Sequence, residues 1–245
     1  MNKNTTERAC LIRSFARQLN DNEIDALKYR ISLEAAKIIS DDGVIDQKNT
    51  ARFNLLLESL VEIHSYKDRI PEYGLAYKGR PNFMSERFLD KLLLESEQFQ
   101  PNSYKNLDQY IYQVETPKGN THAEKLATSE ELYQLVTKYA GASLQSFVTN
   151  YLYYNKKGQH SRPHVDNAFT SITAMVGLKQ TPKAGNKCNL SSSFIYWPNK
   201  PRFNYQLKPG EIAIFFGAAV LHGRTKIGES EETSSLLISF RPSEV

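Results

Sequence analysis

The stretch Ser161-Arg-Pro-His164-Val165-Asp166-Asn167, followed downstream by Leu207-Lys-Pro-Gly-Glu-Ile-Ala-Ile-Phe-Phe-Gly-Ala-Ala-Val-Leu-His222-Gly-Arg224-Thr, decides how the chain is read. Extended backbone sends alternate side chains to one side, so His164 and Asp166 can reach the same ion while Val165 faces away. His222, from a distant strand-like run, completes a set of two imidazoles and one carboxylate. Such a set occupies one face of a divalent transition metal and leaves the other face open. A chance His-x-Asp is common, and a lone histidine more often serves as a structural hydrogen-bonding residue, so the surrounding pattern has to carry the reading.

That pattern is β-rich. Runs at 146–154, 164–178, 193–197, 203–207, 211–216, 220–226 and 233–241 are separated by Gly, Pro and Asn, the spacing of a sandwich or jelly roll. Tyr110-Ile-Tyr-Gln-Val is also strand-like, and 128–140 reads as a helix opened by Thr128-Ser-Glu-Glu. The first part of the chain is different. Leu11, Ile12, Phe15 and Leu19 recur at helical spacing, as do Ile31, Leu33, Ala36 and Ile39, and a third helical run begins at Phe53. Asp41-Asp-Gly43 marks a break between helices, 69–84 reads as a loop with Pro71, Gly74, Gly79 and Pro81, and 85–97 as an amphipathic helix. The expected fold class is therefore α+β. A double-stranded β-helix (jelly roll) core at 104–245 is buttressed by the mainly helical 1–103, which also shapes the substrate pocket, the two forming one integrated domain.

Bulk properties narrow the class. The chain has 245 residues, 40% hydrophobic and 24% charged, with 14 Tyr and 12 Phe that favour strands. The net charge of +4 comes from 31 basic and 27 acidic residues interspersed, which does not indicate a nucleic-acid partner. Cys10 and Cys188 cannot supply a disulfide framework, which suits a reducing cytoplasm. No apolar stretch reaches the roughly 20 residues that span a bilayer, and the polar N-terminus lacks a signal-peptide core. The expectation is a cytoplasmic protein with no membrane partner. Its oligomeric state is not legible.

From about residue 150 to 241 the sequence resembles the iron(II)/2-oxoglutarate-dependent dioxygenase superfamily, nearest to its prolyl-hydroxylase-like branch. The resemblance rests on a Tyr before Gly158, the pair His164-x-Asp166, and Pro209-Gly210-x(5)-Phe216 ahead of His222. It covers a little over a third of the chain. It implies that His164, Asp166 and His222 bind iron(II), Fe(2+), and that 2-oxoglutarate and O2 are co-substrates. Hydroxylation of an unactivated carbon, with release of succinate and CO2, would follow. Asp166 argues against the halogenases of the superfamily, which have a small residue at that position; desaturation and ring formation stay open.

The resemblance also implies a basic residue about ten positions after the distal histidine, to hold the far carboxylate of 2-oxoglutarate. Positions 231–235 are instead Glu-Glu-Thr-Ser-Ser. Arg241 is the first candidate, because 233, 235, 237, 239 and 241 share one strand face as Thr, Ser, Leu, Ser239 and Arg, while Leu236, Ile238 and Phe240 form an apolar outer face. A guanidinium binds a carboxylate through two parallel bonds. Arg224 is the rival, two residues after His222 and on the same face. Tyr154 matches a co-substrate-contacting tyrosine of that branch; Tyr153 has the opposite parity, and core packing explains either equally well.

Asn167 and His160 are candidate substrate-facing groups, with a plain turn role for His160 as the alternative. Arg80 is a loop arginine that would suit a substrate carboxylate. His64 and His122 carry no signal. The leading expectation is a hydroxylase of a small molecule, an amino acid or natural-product intermediate. A protein side chain or alkylated nucleobase is the alternative substrate, and a zinc-dependent hydrolase or a binding module the alternative class.

Overall fold

The computed structural model describes residues 3–40, 43–106, 111–116, 119–141, 143–182, 190–229 and 231–243. Asp41, Asp42, Tyr110 and Cys188, which figured in the sequence reading, lie outside them. In chain order the elements are α1 (Lys3–Ala16), α2 (Asp21–Ala36), α3 (Thr50–Glu62), β1 (Leu75–Gly79), α4 (Glu86–Phe99), β2 (Tyr104–Asn106) and β3 (Ile111–Glu115). There follow α5 (His122–Ala127), α6 (Glu130–Ala140), β4 (Ser143–Tyr154), β5 (Ser161–His164), β6 (Ile172–Pro182) and β7 (Ser193–Tyr196). The last four are β8 (Phe203–Tyr205), β9 (Ile212–Phe215), β10 (Leu221–Arg224) and β11 (Glu231–Pro242). No described helix is long and apolar enough to cross a membrane.

The strands form two antiparallel sheets, one ordered β1-β9-β6-β11-β4-β3-β2 and the other β5-β10-β7-β8. Side-chain alternation sorts each strand into layers. Leu236, Ile238 and Phe240 of β11 face outward with Tyr151, Val176 and Ile214, and α4, α5 and α6 cover them through Leu92, Leu126, Leu132 and Val136. The inward residues of the large sheet meet the small sheet, where Ile195, Ala213, Phe215 and Val220 pack together. Outside the small sheet, α2 and α3 place Ile31, Ala35, Phe53, Leu57 and Leu60 against Phe194, Tyr196 and Leu221. The order of layers is thus helices, large sheet, small sheet, helices.

Three local readings change. The segment 69–84 is not all loop: Leu75–Gly79 is an edge strand paired with β9. Its glycines and prolines flank a stretch too short to show alternation, and it is the ladder to Ile212–Phe215 that makes it a strand. On α1, Leu11 and Phe15 are 71% and 55% exposed, and Ile12 and Ala16 make the contact. A terminal helix covered on one side buries one stripe, whatever its other face carries. A short helix, α5, was not foreseen; Thr121 caps it and the buried Glu95 carboxylate accepts from Ala123 N.

His64, which carried no signal in sequence, follows α3 and is buried, its Nε2 donating to Ala218 O at 3.0 Å. Burial, with the Lys28 ammonium second, pulls its pKa down to about 3. Below its unfolded value near 6.5 the unfolded chain takes up a proton that the folded chain refuses. Stability is therefore full near neutrality and falls as pH drops toward 3. Between pH 7 and 5.5 this residue should cost about 1.3 kcal/mol, so a His64→Gln protein should lose less thermal stability than wild type over that interval. Equal losses would exclude His64 as the source. The Phe53 ring meets Tyr196 edge-on at 5.4 Å; Phe53→Ala should lower the unfolding free energy by about 3–5 kcal/mol, measured by denaturant titration.

Candidate metal centre

The site starts from one register. In the β10–β5 ladder His222 stands opposite His164, and Arg224 opposite Ser161. Two steps on β10 match three on β5, so an extra residue is inserted between Ser161 and His164. The insertion falls where Pro163 has no N–H to give, on an edge strand, where a bulge is tolerated. Because of it, Ser161 and His164, three apart, both line the same cavity. The two imidazole centroids are 4.4 Å apart.

Each imidazole is oriented by its other nitrogen. Nδ1 of His164 donates to Arg162 O at 2.7 Å, and Nδ1 of His222 to Val220 O at 3.0 Å. Those acceptors assign the Nδ1–H tautomer, which leaves each Nε2 lone pair free to ligate. The His164 imidazole is drawn down to about 4 by desolvation and by His222 beside it, against the pull of Asp166, so it is neutral near pH 7.

Asp166 lies just past β5, with its N–H on Gly217 O at 2.9 Å. Its Oδ2 accepts from Thr173 Oγ1 at 3.0 Å, and Oδ1 stands 3.7 Å from the Nε2 of both histidines. The carboxylate occupies the space where a side chain at 217 would begin, since a Cβ there would overlap it. One donor atom from each of the three residues lies within 4.8 Å of the others. Two imidazole nitrogens and one carboxylate oxygen, with their remaining atoms already bonded to the protein, fit a divalent transition metal.

The triad opens into a cavity of about 390 Å3 between the two sheets. At its inner end lies Arg224, whose guanidinium sits over the Tyr154 ring at 5.2 Å. Its Nε donates to Ser191 Oγ at 3.1 Å, while Nη2 is buried with no hydrogen-bond partner. Burial lowers the Arg224 pKa from the ordinary arginine value, with Tyr154 and Glu231 acting in the other sense. Tyr205 and Ser193 line the same end, and burial raises the Tyr205 pKa. Toward the mouth the lining is Asn106, Gln113, Asn150, Asn167, Thr170 and Leu237.

The other candidates fall in different places. Arg241 is exposed and is not part of the cavity wall. Parity was sound, because Ser235 and Leu237 do line the cavity, but parity fixes a face and not a depth. Thr233 pairs with Tyr154, the arginine's platform, so Arg241 is eight residues further along β11, about 26 Å away. Ser239 is fully buried opposite Thr173, short of the cavity, with its Oγ unpartnered. Tyr153 faces outward, donating to Ser96 O.

Asn167 is at the mouth, where its Oδ1 accepts from Thr170 N. His160 bonds Gly158 O through Nδ1 as a turn residue, off the cavity wall. Arg80 is remote from the site: it donates to Met84 O and pairs with Glu86 at 2.6 Å, tethering the start of α4. Tyr205, Ser193, Ser191, Glu231, Thr173 and Gly217 were missed. A glycine directly after a buried β-run was the one visible signal, for Gly217.

No family model matches the sequence, and no curated protein matches it. Solved structures do match the fold. The non-haem α-ketoglutarate-dependent epimerase SnoN from nogalamycin biosynthesis aligns with TM-score 0.57 and 17% identity, over 76% of this chain and 82% of its own. A prolyl-4-hydroxylase of Pseudomonas putida aligns with TM-score 0.57 and 14% identity, over 76% and 100%. A prolyl hydroxylase of Trichoplax adhaerens, solved with a hypoxia inducible factor peptide fragment, aligns with TM-score 0.52 and 12% identity, over 80% and 93%. The chain has the fold of the 2-oxoglutarate/iron(II) oxygenases.

Gly217→Ala should displace the Asp166 carboxylate. The expected result is a loss of iron(II) affinity by at least about tenfold, the scale of damage to groups that orient ligands, with circular dichroism unchanged. Unaltered metal titration would show that Asp166 does not need this seat.

Proposed function

We propose that the protein is an iron(II)/2-oxoglutarate-dependent dioxygenase, built on a double-stranded β-helix as one integrated domain, that oxidises carbon in a small molecule. The observation that carries this is the placement, in one cavity, of a converging His164–Asp166–His222 donor set and a buried arginine with an unpartnered Nη2. The set is that of non-haem iron(II) oxygenases. Bound iron would supply the redox chemistry, coupling conversion of 2-oxoglutarate and O2 into succinate and CO2 to substrate oxidation.

The chain's own residues bind, orient and exclude. His164 and His222 present their Nε2 atoms, each Nδ1 being bonded to a backbone carbonyl, and Thr173 holds Asp166 so that Oδ1 faces the gap between them. We assign Arg224, rather than Arg241, to the far carboxylate of 2-oxoglutarate. An anion there would satisfy the buried Nη2 and receive a paired, charge-assisted contact. Tyr154 supports the guanidinium, and Tyr205 and Ser193 offer hydroxyls at the same end.

At the mouth the wall offers carboxamides, a threonine and leucine. Among the described lining residues Arg224 and Asp166 carry the only permanent charges, and both are committed. That composition favours an uncharged part of a natural-product intermediate over a free amino acid, whose two charges would be buried without partners. Hydroxylation is the outcome we assign, Asp166 occupying the ligand position that halogenation would need empty.

Anaerobic addition of iron(II) and 2-oxoglutarate should produce a weak visible charge-transfer band, and its titration reports co-substrate affinity. Arg224→Ala should weaken that affinity by about ten- to a hundredfold, the worth of a charge-assisted bond, while Arg241→Ala leaves it unchanged. No band with wild-type protein would sink the assignment, and a loss confined to Arg241→Ala would move the carboxylate to that end of the barrel.

A further inference from the structure

The carboxylate of Glu231 is 1% exposed, at the first residue of β11 and beside the inner end of the cavity. It stands in the region where the resemblance led us to expect a basic residue. Its Oε1 accepts from Ser191 Oγ at 2.7 Å, from Ser191 N at 3.0 Å and from Gln180 Nε2 at 3.0 Å. Its Oε2 accepts from Ser191 N at 2.9 Å. The distance from Oε1 to Arg224 Nη2 is 3.8 Å, too long for a hydrogen bond but short for two opposite charges.

The proton on Ser191 has one direction open to it. Arg224 Nε can only donate, so the oxygen it meets at 3.1 Å must accept, and the hydroxyl hydrogen must go to Glu231. Glu231 thereby turns Ser191 into an acceptor that fixes the guanidinium plane. The same carboxylate offsets part of the arginine's charge inside a wall where screening by water is weak.

We propose that Glu231 is a positioning residue for the anion subsite: through Ser191 it fixes how Arg224 presents its Nη atoms, and by its own charge it moderates how tightly the subsite holds a dicarboxylate. The inference rests on the proposed 2-oxoglutarate site. Orientation and attraction are here set by separate features of one carboxylate. A turnover cycle that admits 2-oxoglutarate and must then release succinate needs both.

The test separates the two features. Glu231→Gln keeps an oxygen for Ser191 and removes the negative charge, so 2-oxoglutarate should bind about fivefold tighter or more, as should succinate, from lost repulsion. Ser191→Ala keeps the charge and removes the link, so Arg224 turns toward Glu231 and 2-oxoglutarate should bind about tenfold weaker. Affinities are measured by anaerobic calorimetry on the iron(II) protein, with melting temperature as the control. Weaker binding in both variants, in step with lost stability, or unchanged binding in both, would overturn the inference and leave Glu231 a packing residue. Wild-type protein that holds iron(II) but binds no 2-oxoglutarate would overturn the proposed function and this inference with it.

Discussion

The antiparallel pairing of β10 with β5 is the constraint on which the rest of the structure depends. It sets His222 opposite His164, and the inserted residue at Arg162-Pro163 brings Ser161 and His164 to one wall. Strand register is unforgiving, since a slip by one residue sends every side chain to the other face. The pairing is held from both sides. β7 pairs with β10 on its other edge, and the apolar outer residues Phe194, Tyr196 and Leu221 are sealed by α2 and α3. Val165, between the two ligands from the first strand, packs into that same cluster.

The N-terminal helices therefore do more than cover a sheet. His64, at the end of α3, bonds Ala218, and its neighbour Gly217 seats Asp166. On α2, Asp25 Oδ2 accepts from Ala168 N, two residues past the same ligand. Helix packing, loop and ligand form one continuous set of contacts.

The legible part of the site was what alternation governs. The contrast between Tyr154 and Tyr153 and the outward face of Leu236, Ile238 and Phe240 follow from which way a strand residue points. Asp166 was singled out on the same argument, but β5 ends at His164 and the aspartate is placed by its N–H on Gly217 O. Depth along a strand does not follow from direction, which is why parity alone could not tell that Arg224 lines the cavity and Arg241 does not. Tertiary relations were equally hidden. The pairing of β1 with β9, the overlap of a Cβ at Gly217 with the Asp166 carboxylate and the turning of Glu231 inward toward Ser191 depend on residues far apart in the chain. Arg80 illustrates the converse: a loop arginine looks available until Met84 and Glu86 are seen to occupy it.

At the inner end, an acid and a base have been distributed over two strands, with Arg224 on β10 and Glu231 on β11. Arg224 stands two residues after His222 on the same face of β10, so the distal histidine and the arginine proposed for the anion share the rigidity of one short strand. The most direct measurement is the electron density of crystals grown under nitrogen with iron(II) and 2-oxoglutarate. We expect iron on His164, Asp166 and His222, with the keto-acid end of 2-oxoglutarate on the metal and its far carboxylate at Arg224. Density for 2-oxoglutarate elsewhere, or a metal enclosed by four protein ligands with no open position, would contradict it.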